Sequence, residues 1–490
     1  MAAMLMPLIS FAAPTEARPK LVVGLVVDQM RWDYLYYYQS MWGSGGLQRM
    51  LNEGYSWQNM MVPYVPTVTA AGHTCVYTGS VPAFHGIAGN SFNKEGEHIS
   101  SCRDRKVKGV GTDGKAGQAS PCNLLANTIG DELKLATDFR AKVFGVAIKD
   151  RAAILPAGHS ADAAYWWDSS VGHFITSTYY MDAFPKWVED FNSKNNTAPD
   201  VNLNTSNDGV TMTFKMAKAI VENESMGADD ITDFLAVSIS STDAIGHTYG
   251  TRGKENREVY ERLDKELAAF LSFLDSKVGR GNYLIFLTGD HAGAHNPNFL
   301  KEHKQPGGGW DYKDFREQVN TTVEAKCGVP GAVKRISDCR IYLNHHKIDS
   351  VGANIADVKR VVLESLTADP KVAWAVDPAD GNSLCTLPQP LRERVANGFN
   401  RQRSGDLMFG TIPGYLTYKV EDDYIGTNHS AWNPYDSHIP FVMMGWGVNN
   451  GSTVEEVYMT DIAPTVCALL HIQMPNACVG KALAVPDKQK

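Results

Sequence analysis

Residues 21–28 read LVVGLVVD, an unbroken apolar run of strand length closed by a carboxylate. A strand with one face in water alternates apolar and polar residues. An uninterrupted run is what a strand buried on both faces requires, as in a parallel sheet covered by helices. The same figure recurs three times. Residues 143–148 (VFGVAI) lead into Lys149-Asp150-Arg151, residues 234–239 (FLAVSI) lead to Asp243, and residues 283–287 (YLIFL) lead to Asp290-His291. Between them lie helical patterns over 211–224 and 257–278. In the second, Val259, Leu263, Leu267, Phe270, Leu271 and Leu274 recur at helix spacing with charges opposite. A late strand over 439–444 and a helix over 461–470 close the pattern. This alternation specifies an α/β fold, a three-layer sandwich with a mostly parallel central sheet. In such sheets ligands bind beyond the carboxyl ends of the strands, which is where the charged residues fall.

The 490 residues, 43% hydrophobic and 20% charged, can bury a large core, and a net charge of −8 argues against a nucleic-acid-binding surface. Residues 1–19 form a short apolar run ending in small residues and read as a secretory signal peptide, placing the protein in the periplasm or outside the cell. No stretch offers the long apolar span a membrane helix needs. Eight cysteines in an exported chain permit disulfides, and Cys102–Cys122 and Cys467–Cys478 are the natural local pairs; the lack of a CxxC pair argues against a thiolate zinc site. Residues 163–180 read as an aromatic-rich hairpin. Residues 296–420 break the rhythm with a strand over 340–343, a helix over 355–366 and a strand over 372–376. They read as a cap inserted into a core made of 20–295 and 421–490. The pair His345-His346 in the cap reads as a solvated turn.

Residues 64–90 (YVPTVTAAGHTCVYTGSVPAFHGIAGN) carry a different signal. Pro66 favours an extended lead-in, and Gly79-Ser80-Val81-Pro82 stops any helix at about Gly79, so Thr69 falls near a helix N-terminus. Free N–H groups and the positive end of the helix dipole favour an anion there. On this segment alone, Thr69 reads as a simple N-cap.

The acidic and imidazole residues alter that reading. Asp243 and His247 are four apart, so one helical turn points both at one ion, and Asp290 and His291 are adjacent after a strand. With Asp28 and the His429 of GTNHSAW, the set suits zinc. One ion would take Asp243, His247 and His429; a second would take Asp28, Asp290, His291 and the Thr69 oxygen. Singly, each residue is more often structural, Asp28 as a helix cap and a lone histidine as a loop residue. Jointly they fall past the ends of the predicted strands.

The segments VVDQMRWDYL, PTVTAAGHTCVYTGSVPAFHGIAGN, GVAIKDRAAILPAGH, STDAIGH, TGDHAG, GTNHSAW and DIAPTVCALL together resemble the alkaline phosphatase superfamily, over roughly residues 21–470. The resemblance is closest to the periplasmic, phosphate-irrepressible type with a threonine nucleophile. It implies a zinc-dependent hydrolase of small phosphate monoesters with two Zn²⁺ per chain and a covalent phosphothreonine at Thr69. It also implies Asn90, Lys149 and Arg151 as phosphate-binding groups, and His429, in a Gly-Thr-x-His pattern, in preference to His438. Lys149 and Arg151, two apart at a strand end, would project to one side and reward the dianion of a monoester. The related nucleotide pyrophosphatases/phosphodiesterases keep the threonine, the asparagine and the ligands but lack this Lys-x-Arg, so a phosphodiesterase of the same fold is the alternative. A non-catalytic metal- or phosphate-binding protein would lack a nucleophile or a ligand. A sulfatase would need C-x-P-x-R, whereas Val-Tyr-Thr follows Cys75.

Overall fold

The run at 21–28 forms β1 (Leu21–Val27), every residue of which is buried. In this computed structural model residues 18–485 are described, so the expected signal peptide lies, but for its last two residues, outside them. The other strands of the main sheet are, in chain order, β2 (Tyr55–Met61), β3 (Gly109–Val110), β4 (Val143–Ala147), β5 (Ala163–Asp168), β6 (His173–Ser177), β7 (Asp233–Ile239), β8 (Tyr283–Thr288), β9 (His438–Gly445) and β10 (Gly451–Tyr458). They are ordered β10-β2-β9-β8-β1-β7-β4-β5-β6-β3. The centre, β8-β1-β7-β4-β5, is parallel. At its flanks β9 runs antiparallel to β8 and β2, and β6 antiparallel to β5.

Helices cover both faces: α1 (Thr69–Thr78), α2 (Asp150–Ala157), α3 (Asn207–Asn223), α4 (Ser241–Tyr249), α5 (Lys254–Leu274) and α6 (Ile462–Leu469). Strand alternation divides β1 between two cores. Leu21, Val23, Leu25 and Val27 pack in one cluster with Val259, Leu263, Leu267 and Phe270 of α5. Val22 and Val26 pack in the other with Val76 and Tyr77 of α1 and Val466 of α6. Burying each such aliphatic side chain contributes about 1.5–3 kcal/mol, which fixes the sheet between its helix layers. The Tyr77 hydroxyl donates to the Gly24 carbonyl at 3.1 Å, laying α1 across the middle of the sheet.

Within residues 296–420, four antiparallel strands, Val333–Ser337, Arg340–Leu343, Leu407–Thr411 and Val372–Val376 in that order, form a second sheet. Val319 and Val323 of the Tyr312–Cys327 helix and Val361 and Val362 of the Ile355–Ala368 helix pack on it in a core of their own. Among the described residues no helix is long and apolar enough to cross a membrane.

Several local expectations are corrected. Helix α3 starts at Asn207 and not at 211 because Ser206 caps it, its hydroxyl accepting from Asp208 N, a polar signal that apolar periodicity does not register. The end of the helix expected over 257–278 is taken by a π-turn at Asp275–Gly279. Strand β4 ends at Ala147 and α2 begins at Asp150, so Lys149 occupies the cap position and Arg151 the first helical turn. Strand alternation therefore does not set their directions. The two expected disulfides are not formed, and all eight cysteines are free. Cys122 turns its thiol to the Arg103 carbonyl at 3.6 Å and Cys478 turns its thiol to the Gly480 carbonyl, while Cys102 and Cys467 are packed in apolar clusters. His345-His346 opens a short helix, with His345 Nε2 2.7 Å from Asp406 Oδ1.

Candidate active site

Helix α1 is buried along its whole length, so it shows no apolar face, and only its Gly and Pro punctuation marks its ends. The cap residue is Val68, in extended conformation, and Thr69 is the first helical residue, with no side-chain cap. The N-terminal turn is thereby left open to other partners. Asn90 takes one of its donors, with Oδ1 accepting from Ala70 N at 2.9 Å. Further along, Gly72 lies so close to the loop after β8 that a Cβ there would collide with the Asp290 carbonyl and Cβ. Only glycine allows this approach, which brings α1 onto Asp290.

Three histidines enter from three loops or helix ends. His247 Nδ1 contacts the Thr427 carbonyl at 2.9 Å, His291 Nδ1 the Ala292 carbonyl at 2.9 Å, and His429 Nδ1 the Thr67 carbonyl at 2.7 Å. A carbonyl can only accept, so each Nδ1 carries a proton and each ring turns its Nε2 toward the carboxylates, the orientation expected of metal-ligating imidazole. His247 Nε2 lies 3.1 Å and His429 Nε2 3.6 Å from Asp243 Oδ1. His291 Nε2 lies 3.6 Å from Asp28 Oδ1 and 3.4 Å from Asp290 Oδ2.

Asp28 Oδ1, Asp290 Oδ2 and His291 Nε2 are buried atoms with no hydrogen-bond partner. Leaving such groups unpaired in a protein interior is costly, and a bound cation would offset that cost for the groups it touches. The ligand atoms gather in two groups, Asp243/His247/His429 and Asp28/Asp243/His291. Asp243 thus faces both groups, where the sequence assigned it to one. The His291 and His429 rings stack with centroids 3.7 Å apart, so the two groups abut. The donors, imidazole nitrogen and carboxylate oxygen, fit a divalent ion such as zinc.

The electrostatics show the same need for positive charge. Burial, joined by the charges of Asp243 and Asp290, pushes the Asp28 carboxyl up to about 6. Burial also pushes Asp243 up, but Lys149 and His247 outweigh it and hold that carboxyl well below its usual range. Burial lowers His291 to about 4, and burial with the neighbouring His291 takes His429 well down, so both rings are neutral at physiological pH. Lys149 enters this cluster, its Nζ 2.7 Å from Asp28 Oδ2 and 2.5 Å from Asp243 Oδ2. Arg151 does not; its Nη1 stays 3.6 Å from Asp150 and its side chain is a quarter exposed.

Two residues that sequence reasoning passed over also belong here. His73, one turn beyond Thr69, has Nδ1 2.9 Å from the Thr69 carbonyl and 3.3 Å from Asp290 Oδ2, and Nε2 2.7 Å from Ser238 Oγ. Its i+4 spacing from Thr69 was the available signal. Gln29, at φ +62, donates its backbone N–H to Asp290 Oδ1 at 3.1 Å and its amide to Asp243 Oδ1 at 2.8 Å, tying the two carboxylates together. Its adjacency to Asp28 was the only hint. His438 instead opens β9, contacts the Gln58 carbonyl and stacks on Trp32, leaving His429 as the histidine in the cluster.

Residues 22–434 match the family model of type I phosphodiesterase / nucleotide pyrophosphatase. Alkaline phosphatase PafA of Elizabethkingia meningoseptica is 43% identical, the alignment covering 95% of this chain and 94% of that protein. A Myroides odoratus protein named calcium-transporting ATPase is also 43% identical, with 94% of each covered. Alkaline phosphatase PhoV of Synechococcus elongatus is 41% identical, covering 96% of this chain and 93% of its own length. A crystal structure of wild-type alkaline phosphatase PafA matches with a TM-score of 0.91 at 42% identity, over 96% of this chain and 99% of that one.

Proposed function

The chain belongs to the type I phosphodiesterase / nucleotide pyrophosphatase family, within the alkaline phosphatase superfamily, and we propose that it is a phosphomonoester hydrolase that acts through a covalent phosphothreonine at Thr69 with two zinc ions. The observation that carries this reading is the set of three imidazole Nε2 atoms and unpartnered carboxylate oxygens converging beside the N-terminus of α1. Asp243, His247 and His429 would hold one ion, and Asp28, Asp290, His291 and the Thr69 oxygen the other, with the Asp243 carboxylate facing both. When bound, such ions lower the pKa of a coordinated hydroxyl and stabilise charge on the oxygens of a transferring phosphoryl group.

The chain's own groups supply the rest. Thr69 Oγ1 attacks phosphorus, a bond forms from threonine to phosphorus, and the bond to the departing alcohol oxygen breaks. Water then cleaves the phosphothreonine and restores the hydroxyl with release of inorganic phosphate. The helix N-terminus favours negative charge at the attacking oxygen. Because Asn90 Oδ1 is occupied by Ala70 N, its amide hydrogens are left to donate to a non-bridging phosphoryl oxygen. Lys149, anchored on Asp28 and Asp243, places a fixed positive charge where the extra negative charge of a monoester dianion would lie. The N-terminal sequence supports placing this chemistry in the periplasm or outside the cell.

The relatives named alkaline phosphatases favour monoesters, while the family's description keeps diesters as the second reading. Turnover of an aryl phosphate and an aryl phosphodiester, each with and without chelator and in Thr69→Ala, separates them. Monoester turnover should dominate and should disappear on chelation or on loss of Thr69. Equal or faster diester turnover selects the second reading, and chelator-resistant turnover removes the metal ions from the mechanism.

A further inference from the structure

Arg340 is an arginine with a fully buried side chain in the second sheet. It follows a two-residue turn, Asp338-Cys339, in which both residues have positive φ (+49 and +60), the backbone that lets two strands reverse tightly. The turn carries Arg340 out of its own sheet and onto the loop that precedes Asn90. There Nη1 donates to the Ala88 carbonyl at 2.6 Å and Nη2 to Asp338 at 3.1 Å, while Nε has no partner. Gly89 is open to receive it, since a Cβ at that position would sit 2.5 Å from Nη2. The next residue is Asn90.

A second arginine from the same inserted region grips the other side of this segment. Arg403 Nη1 donates to the Gly86 carbonyl at 2.5 Å and the Asn123 carbonyl at 2.7 Å, and its guanidinium lies 4.9 Å above the Phe92 ring. The turn that carries Arg340 also touches the loop of His429, with the Cys339 thiol 3.6 Å from the Ser430 carbonyl. Desolvating a guanidinium is expensive, and one carboxylate with one carbonyl offsets only part of that. A core side chain chosen for stability would be apolar.

We infer that Arg340 is a positioning residue: it holds the Ala88–Gly89 backbone so that Asn90, anchored on Ala70 N, keeps its amide aimed at the phosphoryl group. The inserted region thereby completes the phosphate site from outside the main sheet. The inference rests on the reading of Asn90 as a phosphate-binding group and specifies what orients it.

The test is a double-mutant cycle of Arg340→Met with Asn90→Ala in the full-length, metal-loaded enzyme, read as kcat/KM on an aryl phosphate and as competitive inhibition by inorganic phosphate. Arg340→Met alone should lower both the rate and the phosphate affinity about 10- to 100-fold, the scale of one charge-assisted contact. In the Asn90→Ala background it should change either by less than about 3-fold, because residues that act through one another are not additive. Arg340→Lys keeps the charge and one donor and should fall between; it reads the same cycle if the methionine variant does not fold. Additive losses overturn the inference while leaving Asn90 in its role. An Asn90→Ala enzyme with unaltered phosphate affinity overturns both.

Discussion

The Lys149 ammonium nitrogen lies 2.5 Å from Asp243 Oδ2, in an ion pair almost closed to solvent. Asp243 is the carboxylate that faces both groups of candidate ligands, so this one contact links Lys149 to the residue between them. Removing Lys149 leaves Asp28 and Asp243 facing each other without a compensating charge. In chelator-treated protein, Lys149→Met should therefore cost about 3–5 kcal/mol in urea unfolding, the scale of a broken buried pair. Added zinc should close most of the gap by supplying the lost charge. Superimposable unfolding curves in chelator would show that the pair is not structural.

Arg151 stays beside Asp150 and has to swing toward a bound phosphoryl group to contact it. If it does, Arg151→Ala should lower kcat/KM on aryl phosphate about 10- to 150-fold and on an aryl diester far less, one charge-assisted contact being worth about 1.5–3 kcal/mol. Equal losses on the two substrates would assign Arg151 to the phosphoryl group common to both.

His73 touches the Thr69 carbonyl and Asp290 from behind. Outer groups of this kind orient ligands, and losing one lowers metal affinity about 10- to 100-fold. His73→Ala should show that drop when the protein is titrated with zinc against a competing chelator. Unchanged affinity would confine His73 to supporting the helix.

His85, fully buried, accepts from Ile87 N at 3.1 Å, and burial with the nearby Arg403 lowers its pKa from 6.5 to about 3. Between those values the unfolded chain takes up a proton that the folded chain refuses, so stability falls as pH drops below 6.5, by about 1.4 kcal/mol per unit. Above 6.5 the group contributes no pH dependence. His85→Asn keeps an acceptor for Ile87 and removes the titration, so from pH 6.5 to 5 it should lose about 2 kcal/mol less than the parent protein in urea unfolding. Parallel losses in the two proteins would mean that His85 does not titrate this way.

The legible parts of the site were those with a local signature. Strands β1, β4, β7 and β8 are predominantly apolar because both faces are buried, and their ends announce Asp28, Lys149, Asp243 and Asp290. Asp243 and His247 share a helix turn, and Gly79, at φ +62, marks the end of α1. The antiparallel direction of β9 and the burial of Arg340 had no such signature, and His73 and Gln29 had only their positions beside Thr69 and Asp28. The Cys102–Cys122 and Cys467–Cys478 pairs suggested by nearness in sequence are not bonded, because nearness along the chain does not orient two thiols.

By itself, the amino-acid order determined the layered α/β core and the set of candidate site residues, since hydrophobic periodicity and short-range spacing are properties of neighbouring residues. Tertiary structure alone decided how those groups face one another: His429 is fixed by the carbonyl of Thr67, 362 residues away, and the Ala88 carbonyl, two residues before Asn90, is held by an arginine from another sheet. Contacts of that kind depend on how the chain closes on itself, and no local pattern encodes them.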